Sequence, residues 1–225
     1  MNELSKKSLT GLIKLQVGLA LLLFLPAWSL HFWQAWIYWM LFGISVLMIT
    51  LYFLKHDPGL VNRRLDAGPG AEHEKIQKII QAIASVLVCA LIIVPGFDHR
   101  FHWSAVPTAI VLSADVMVAL GLLMVFFVFR ANSYAASVVK VEASQPVIET
   151  GPYRLVRHPM YAGGLLALLA TPLALGSPWG LLVGIALCGV IVARLLDEER
   201  FLSAHLPGYD AYCRKVRYRL VPMVW

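Results

Sequence analysis

"AVPTAIVLSADVMVALGLLMVFFVF" (105–129) runs for 25 residues with a single charge, Asp115. About 20 apolar residues in helical conformation cross the hydrocarbon core of a bilayer, so this stretch reads as a membrane span. The same reading extends outward on both sides, to 9–30, 32–54 and 76–97 before it, and to 161–176 and 179–196 after it. The last two are shorter and are separated by "GSPWG" (176–180). They form a helical hairpin, crossing fully if tilted and re-entrant if not. Composition agrees: 14% of the 225 residues are charged and 59% hydrophobic, against roughly a quarter charged in a soluble domain. The fold class is therefore all-α, a polytopic membrane helix bundle of about six helical segments.

Asp115 falls about ten residues into its span if the helix begins at Ala105, near mid-bilayer, where an acid is a functional candidate by default. A later start, allowed by Pro107 and Ser113, puts it instead in a capped first turn, and this structural reading is preferred.

Eighteen of the 19 Lys and Arg fall at one end of the spans: before or early in the first, between the second and third, after the fourth, and after the hairpin. Only Arg100 lies opposite. The positive-inside rule then puts both termini in the cytoplasm, and the formal charge of +6 reads as a collar facing anionic lipid rather than a nucleic-acid surface. Trp28, Trp33, Trp36, Trp39, Trp103 and Trp179 fit interfacial belts. The first span is too long for a secretory signal and lacks a small-residue cleavage site, so it counts as structure. Cys89, Cys188 and Cys213 are scattered, without metal-ligand spacing, and read as packing residues. No metal site is expected.

Loops on the basic side are long, so that is where any chemistry belongs. "KHDPGLVNRRLDAGPGAEHEK" (55–75) carries Pro58, Gly59, Gly68, Pro69 and Gly70 and reads as an irregular basic loop, with "NRRL" able to form a short interfacial helix. "SVVKVEASQPVIETG" (137–151) alternates in strand fashion around Val139, Val141, Val147 and Ile148, while Pro146 forbids a central strand. An extended chain there offers backbone amides and carbonyls to the edge of a planar heteroaromatic ring. In "RHPMY" (157–161), Pro159 disfavours helix at His158 and starts the next helix. His158 and Tyr161 then sit at a helix N-terminus, whose dipole and open amides attract a carboxylate or phosphate. Alternatively, Arg157 and His158 simply anchor the helix end to lipid headgroups. In "RLLDEER" (194–200), Arg194 and Glu198 share a helix face at i, i+4. Either they form a structural ion pair, or they belong to a site with an acid for an ammonium or ribose hydroxyl and an arginine for an anionic group. A zwitterionic nucleotide-like cofactor such as S-adenosylmethionine needs that combination.

"TGPYRLVRHPMYAGG" (150–164) followed by "EERFLSAHLPGYDAYCRKVRYRLVP" (198–222), in that order around a hairpin, resembles the isoprenylcysteine carboxyl methyltransferase family of integral membrane methyltransferases, whose relatives include phospholipid N-methyltransferases. The likeness is strong over 132–222 and weaker over "DPGLVNRR" and "PGFDHRFHWS". It implies S-adenosylmethionine as cofactor, bound on the cytoplasmic side. It further implies that Gln145, Pro146, Val147 and Ile148 line the adenosine site, and that Tyr153, His158, Pro159, Met160 and Tyr161 enclose the methionine part. Glu198, held jointly with Glu199, becomes a cofactor contact, and Arg194 the catalytic-site residue near the acceptor. No glycine-rich soluble-type nucleotide loop is present, which fits this family.

The expected division is 1–129 as a four-span bundle and 130–225 as a methyltransferase core. Arg194 favours a lipophilic anionic acceptor, a prenylated or other lipid-like carboxylate arriving from the bilayer. A phospholipid or amine acceptor is the alternative. A sterol-type NADPH-dependent reductase and a non-enzymatic scaffold are the rival classes. The expected partners are membrane lipid and a lipidated or lipophilic substrate, with no obligate protein partner.

Overall fold

The computed structural model describes residues 3–65, 70, 72, 74–135, 137, 141 and 145–225. The expectations placed on Gly68, Pro69, Val139 and Lys140 lie outside them. Eight α-helices and one 3-10 turn make up the described regular structure: α1 Glu3–Ala27, α2 Trp33–His56, α3 Pro58–Leu65, α4 Lys75–Phe101, α5 Thr108–Ala131, the turn Gly151–Arg154, α6 Pro159–Ala174, α7 Gly180–His205 and α8 Tyr209–Lys215. Among the described residues there is no strand. Val141, Val147 and Ile148 lie in irregular chain rather than in the alternating strand their pattern suggested. Val147 packs instead against Leu206, Tyr209 and Tyr212 of the tail.

Five helices, α1, α2, α4, α5 and α7, are long and apolar enough to cross a membrane. Their outward faces carry exposed Ile13, Met48, Val86, Val116 and Ile185, apolar surface that only lipid would cover. α6 has 16 residues, about 24 Å of helix. Its hairpin nevertheless reaches the far end of the bundle. Ser177, fully buried at the tip, donates to Asp98 near the C-terminus of α4, at 2.5 Å. Asp98 also accepts from the Ser104 amide and hydroxyl at 2.9 and 2.6 Å, so one buried carboxylate fastens two loops at that end. Exposed Trp28, Trp103 and Trp179 lie at the same end.

α5 and α6 touch backbone to backbone. A Cβ on Gly121 would lie 2.5 Å from the Gly163 carbonyl, and one on Gly163 would lie 2.9 Å from the Gly121 carbonyl. Any larger residue at either position pushes the helices apart, and the cavity described below opens at the end of this seam.

Two expectations are corrected. In the 55–75 loop "NRRL" is helical, the alternative the sequence left open, but the helix runs from Pro58 to Leu65, because Asp57–Pro58 starts it: Asp57 Oδ1 accepts the Leu60 amide at 3.0 Å, a capping bond followed by proline at the first helical position. α5 does begin just after Pro107, but Asp115 is its eighth residue, about two turns in and past any capped first turn. It is buried, and neither carboxylate oxygen has a hydrogen-bond partner among the described residues.

Candidate active site

Three segments meet at the basic end of the bundle. The chain after α5 runs past the end of α3, the 145–158 segment leads into α6, and the end of α7 with α8 folds back over both. α3 holds the first of these. Arg63 donates to the Ser133 carbonyl at 3.3 Å and Arg64 to the Ala135 carbonyl at 3.0 Å. The Arg64 guanidinium lies 4.5 Å over the Phe129 ring and 3.8 Å from Met160 Sδ. Burial lowers the Arg64 pKa to about 10, still charged at neutral pH.

α6 starts as its sequence dictates, with His158 as N-cap residue and Pro159 first in the helix. The chain ahead is pinned by the tail, since the Arg157 and His158 amides donate to the carbonyls of Tyr218 and Arg219 at 2.9 and 3.0 Å. Gly208, at φ 88°, supplies the left-handed step that turns the chain from α7 into α8. That turn sets Tyr209 and Tyr212 against the cavity.

The partly open cavity holds about 800 Å³ of empty space, counting its opening to solvent. Gln145, Pro146, Val147, Ile148, Tyr153, His158, Pro159, Met160, Tyr161 and Glu198 all line it. Every residue expected at the cofactor except Glu199 thus meets in one place, although 53 residues of sequence separate the first from the last. Asn132, Tyr134, Ala135, Arg157, Leu202, Leu206, Tyr209 and Tyr212 complete the wall. Sequence reading did not assign these. The "HLPGYDAY" block contained the signal for the two tyrosines, a glycine immediately ahead of an aromatic face at i, i+3.

Glu198 and Glu199, adjacent in α7, point to different surroundings because successive helical residues are rotated by about 100°. Glu199 turns away from the cavity into a cluster of basic side chains: Arg219 Nε at 2.8 Å, Arg157 Nε at 3.2 Å and His158 Nε2 at 3.2 Å. The Arg157 contact is one of charge only, because its Nε–H finds no aligned acceptor among the described residues. Glu198 faces the cavity, where its Oε2 accepts the Tyr161 hydroxyl at 2.5 Å. Among the described residues no cation pairs with it.

Arg194 does not bond Glu198 directly. Its Nε donates to the Tyr161 hydroxyl at 3.2 Å, so Tyr161 bridges the two. The rest of the guanidinium is engaged by Gln81 at 2.7 Å, the Ser137 carbonyl at 3.2 Å and, most closely, Glu72 at 2.6 Å. Arg194 and Glu72 are both buried.

Several polar groups at the cavity are left open. The Tyr209 hydroxyl is buried with no hydrogen-bond partner, and the amides of Val147 and Ile148 bond no other described residue. Burial raises the pKa of Tyr209 well above its ordinary value, with the nearby acids adding to the shift, so it stays a protonated donor. Tyr153, pushed up to about 12 chiefly by burial, is held by Asn132 on its hydroxyl at 2.9 Å and by Tyr212 on its carbonyl at 2.8 Å.

Residues 109–207 match the family model described as phospholipid methyltransferase, within the isoprenylcysteine carboxyl methyltransferase-like group of membrane methyltransferases. Over that segment the chain is similar to this group. The matched segment begins in α5 and ends just past α7, taking in the Gly121–Gly163 seam, the 145–161 wall and both glutamates. No curated protein matches the chain.

Proposed function

We propose that the cavity binds S-adenosylmethionine and that the protein methylates a lipophilic, amine-bearing acceptor entering from the membrane. The observation that carries the reading is the convergence of 145–148, Tyr153, 158–161 and Glu198 on one cavity with unmet polar groups. Those groups fit the cofactor. The amides of Val147 and Ile148, unpaired among the described residues, suit a purine edge, the Tyr209 hydroxyl suits a carboxylate or ribose oxygen, and Glu198 suits a positive centre. When bound, S-adenosylmethionine supplies an electrophilic methyl group that passes to the acceptor while the carbon–sulfur electron pair remains on sulfur.

The chain's own part is orientation, exclusion of water and handling of one proton. Glu198 Oε2 is fixed by Tyr161, and Oε1 has no partner among the described residues, so this carboxylate can hold an ammonium and take its proton before the nitrogen attacks. A carboxylate acceptor would instead need a free cation. Arg194 was expected to supply one, but Glu72 already neutralises it and Arg157 faces Glu199, whereas Glu198 lines the cavity with no cation paired to it among the described residues. This, with the phospholipid methyltransferase match, supports an amine over an ester product. The clustering of Lys and Arg at the cavity's end of the bundle supports a cytoplasmic site.

Calorimetry of the purified chain with S-adenosylhomocysteine and with NADPH tests the cofactor assignment. The reading expects binding of the first alone. Binding of NADPH alone would favour the reductase class, and binding of neither a scaffold.

A further inference from the structure

A second cavity, of about 1220 Å³ counting its open side, lies between α1, α2, α3 and α5 and is lined almost wholly by apolar side chains. Its walls run from Ser8 to Leu15 on α1, from Phe53 back to Val46 on α2 and from Phe129 back to Leu122 on α5. Each of these stretches covers seven residue steps, about 10 Å along the bundle axis. At the basic end the groove is closed by α3, and there Arg64 forms part of its lining. Among the described residues no carboxylate pairs with this guanidinium, whose contacts are the Ala135 carbonyl, Met160 Sδ and the Phe129 ring. Ala135 and Met160 line the first cavity too. Arg64 therefore stands in the wall between an apolar groove and the candidate active site.

A groove parallel to the bundle axis with a cation at its headgroup end has the shape and charge of a lipid. We propose that it binds one hydrocarbon chain of a phosphate-bearing lipid, with the phosphate on Arg64 and the polar group beyond it reaching past Met160 into the first cavity. The identification of this lipid with the methyl acceptor rests on the methyltransferase reading; the lipid site itself does not. Arg194, on the Tyr161 side of the cavity and engaged with Glu72, takes no part in holding the phosphate.

Gly11 gives a clean test. It lines the groove and not the first cavity, and a Cβ built on it meets nothing within 4 Å, so the Gly11→Phe side chain starts into open space and occupies the groove. Binding of octyl phosphate and of octanol to the full chain in detergent, below their aggregation limits, is measured by calorimetry. The proposal expects octyl phosphate to bind, with affinity rising about fourfold per methylene from butyl to octyl phosphate. Arg64→Gln should weaken octyl phosphate at least tenfold and leave octanol unchanged, whereas Gly11→Phe should weaken both. S-adenosylhomocysteine affinity in Gly11→Phe should stay within about threefold of the parent, reporting an intact fold. Parental octyl phosphate affinity in either variant, or no binding to the parent chain, would overturn the proposal. Octyl phosphate binding by a chain that fails to bind S-adenosylhomocysteine would uphold the lipid site and remove the methyltransferase reading.

Discussion

Replacing Glu198 and Glu199 separately by Gln should give opposite phenotypes, although the two are neighbours in sequence. Glu199 is ringed by Arg219, Arg157 and His158 within 3.2 Å. Removing one partner of a buried ion pair costs about 3–5 kcal/mol. Because the Arg219 side chain is 32% exposed and water screens that contact, the lower end, about 3 kcal/mol, applies to Glu199→Gln. Glu198 receives one hydrogen bond from Tyr161, which a Gln carbonyl can still accept, so Glu198→Gln should change stability by less than about 1 kcal/mol. If Glu198 contacts the cofactor, its loss should weaken S-adenosylhomocysteine by about 1.5–3 kcal/mol, the range for hydrogen bonds to charged groups, or roughly 10- to 150-fold in Kd. Thermal unfolding in detergent reads the first effect and calorimetry the second. A Glu199→Gln protein as stable as the parent, with a Glu198→Gln protein of unaltered affinity, would refute the division of labour drawn from the two side chains.

Tyr209→Phe should weaken S-adenosylhomocysteine about tenfold in calorimetry while leaving the unfolding temperature the same or higher, since the hydroxyl it removes is buried without a protein partner. For Arg194 and Glu72, each single substitution to Leu should destabilise the fold. The double variant should lose less than the sum, with a coupling above about 1 kcal/mol in a double-mutant cycle of thermal stability; additive losses would mean that the pair does not interact. In a cysteine-free background, Pro178→Cys and Ser203→Cys should react with a membrane-impermeant maleimide from opposite sides. Labelling of both from one side would make the hairpin re-entrant.

Hydropathy made the spans legible because the bilayer demands the same apolar length of each. It misjudged ends where helix and membrane do not stop together. α7 continues to His205, nine residues beyond the expected 196, because a helix that leaves the hydrocarbon has no reason to unwind at "DEER". α1 likewise begins at Glu3, through a polar first turn that carries no hydropathy signal. α3 was obscured by Pro58 and Gly59, read as breakers although aspartate before proline is a start signal. At the candidate site it was the family resemblance, carried by two compact blocks in order, that named the residues which the fold brings to one cavity wall. What a linear reading lacked was long-range pairing. Glu72 meets Arg194 across 122 residues, and Tyr209 reaches the cavity only because the tail returns to 157–158. Nor can the order of two adjacent glutamates tell which way each will face until the helix phase is fixed by packing.

The most direct test of the account is to incubate the purified chain in bilayers containing amine-bearing phospholipid with methyl-labelled S-adenosylmethionine, extract the lipid and treat it with mild alkali under conditions that leave amines intact. The account predicts label that stays on the lipid headgroup fraction through the treatment, and that falls with Glu198→Gln. Label released as methanol would show a methyl ester and contradict the amine assignment. A lipid fraction without label, from protein that also fails to bind S-adenosylhomocysteine, would contradict the methyltransferase assignment itself.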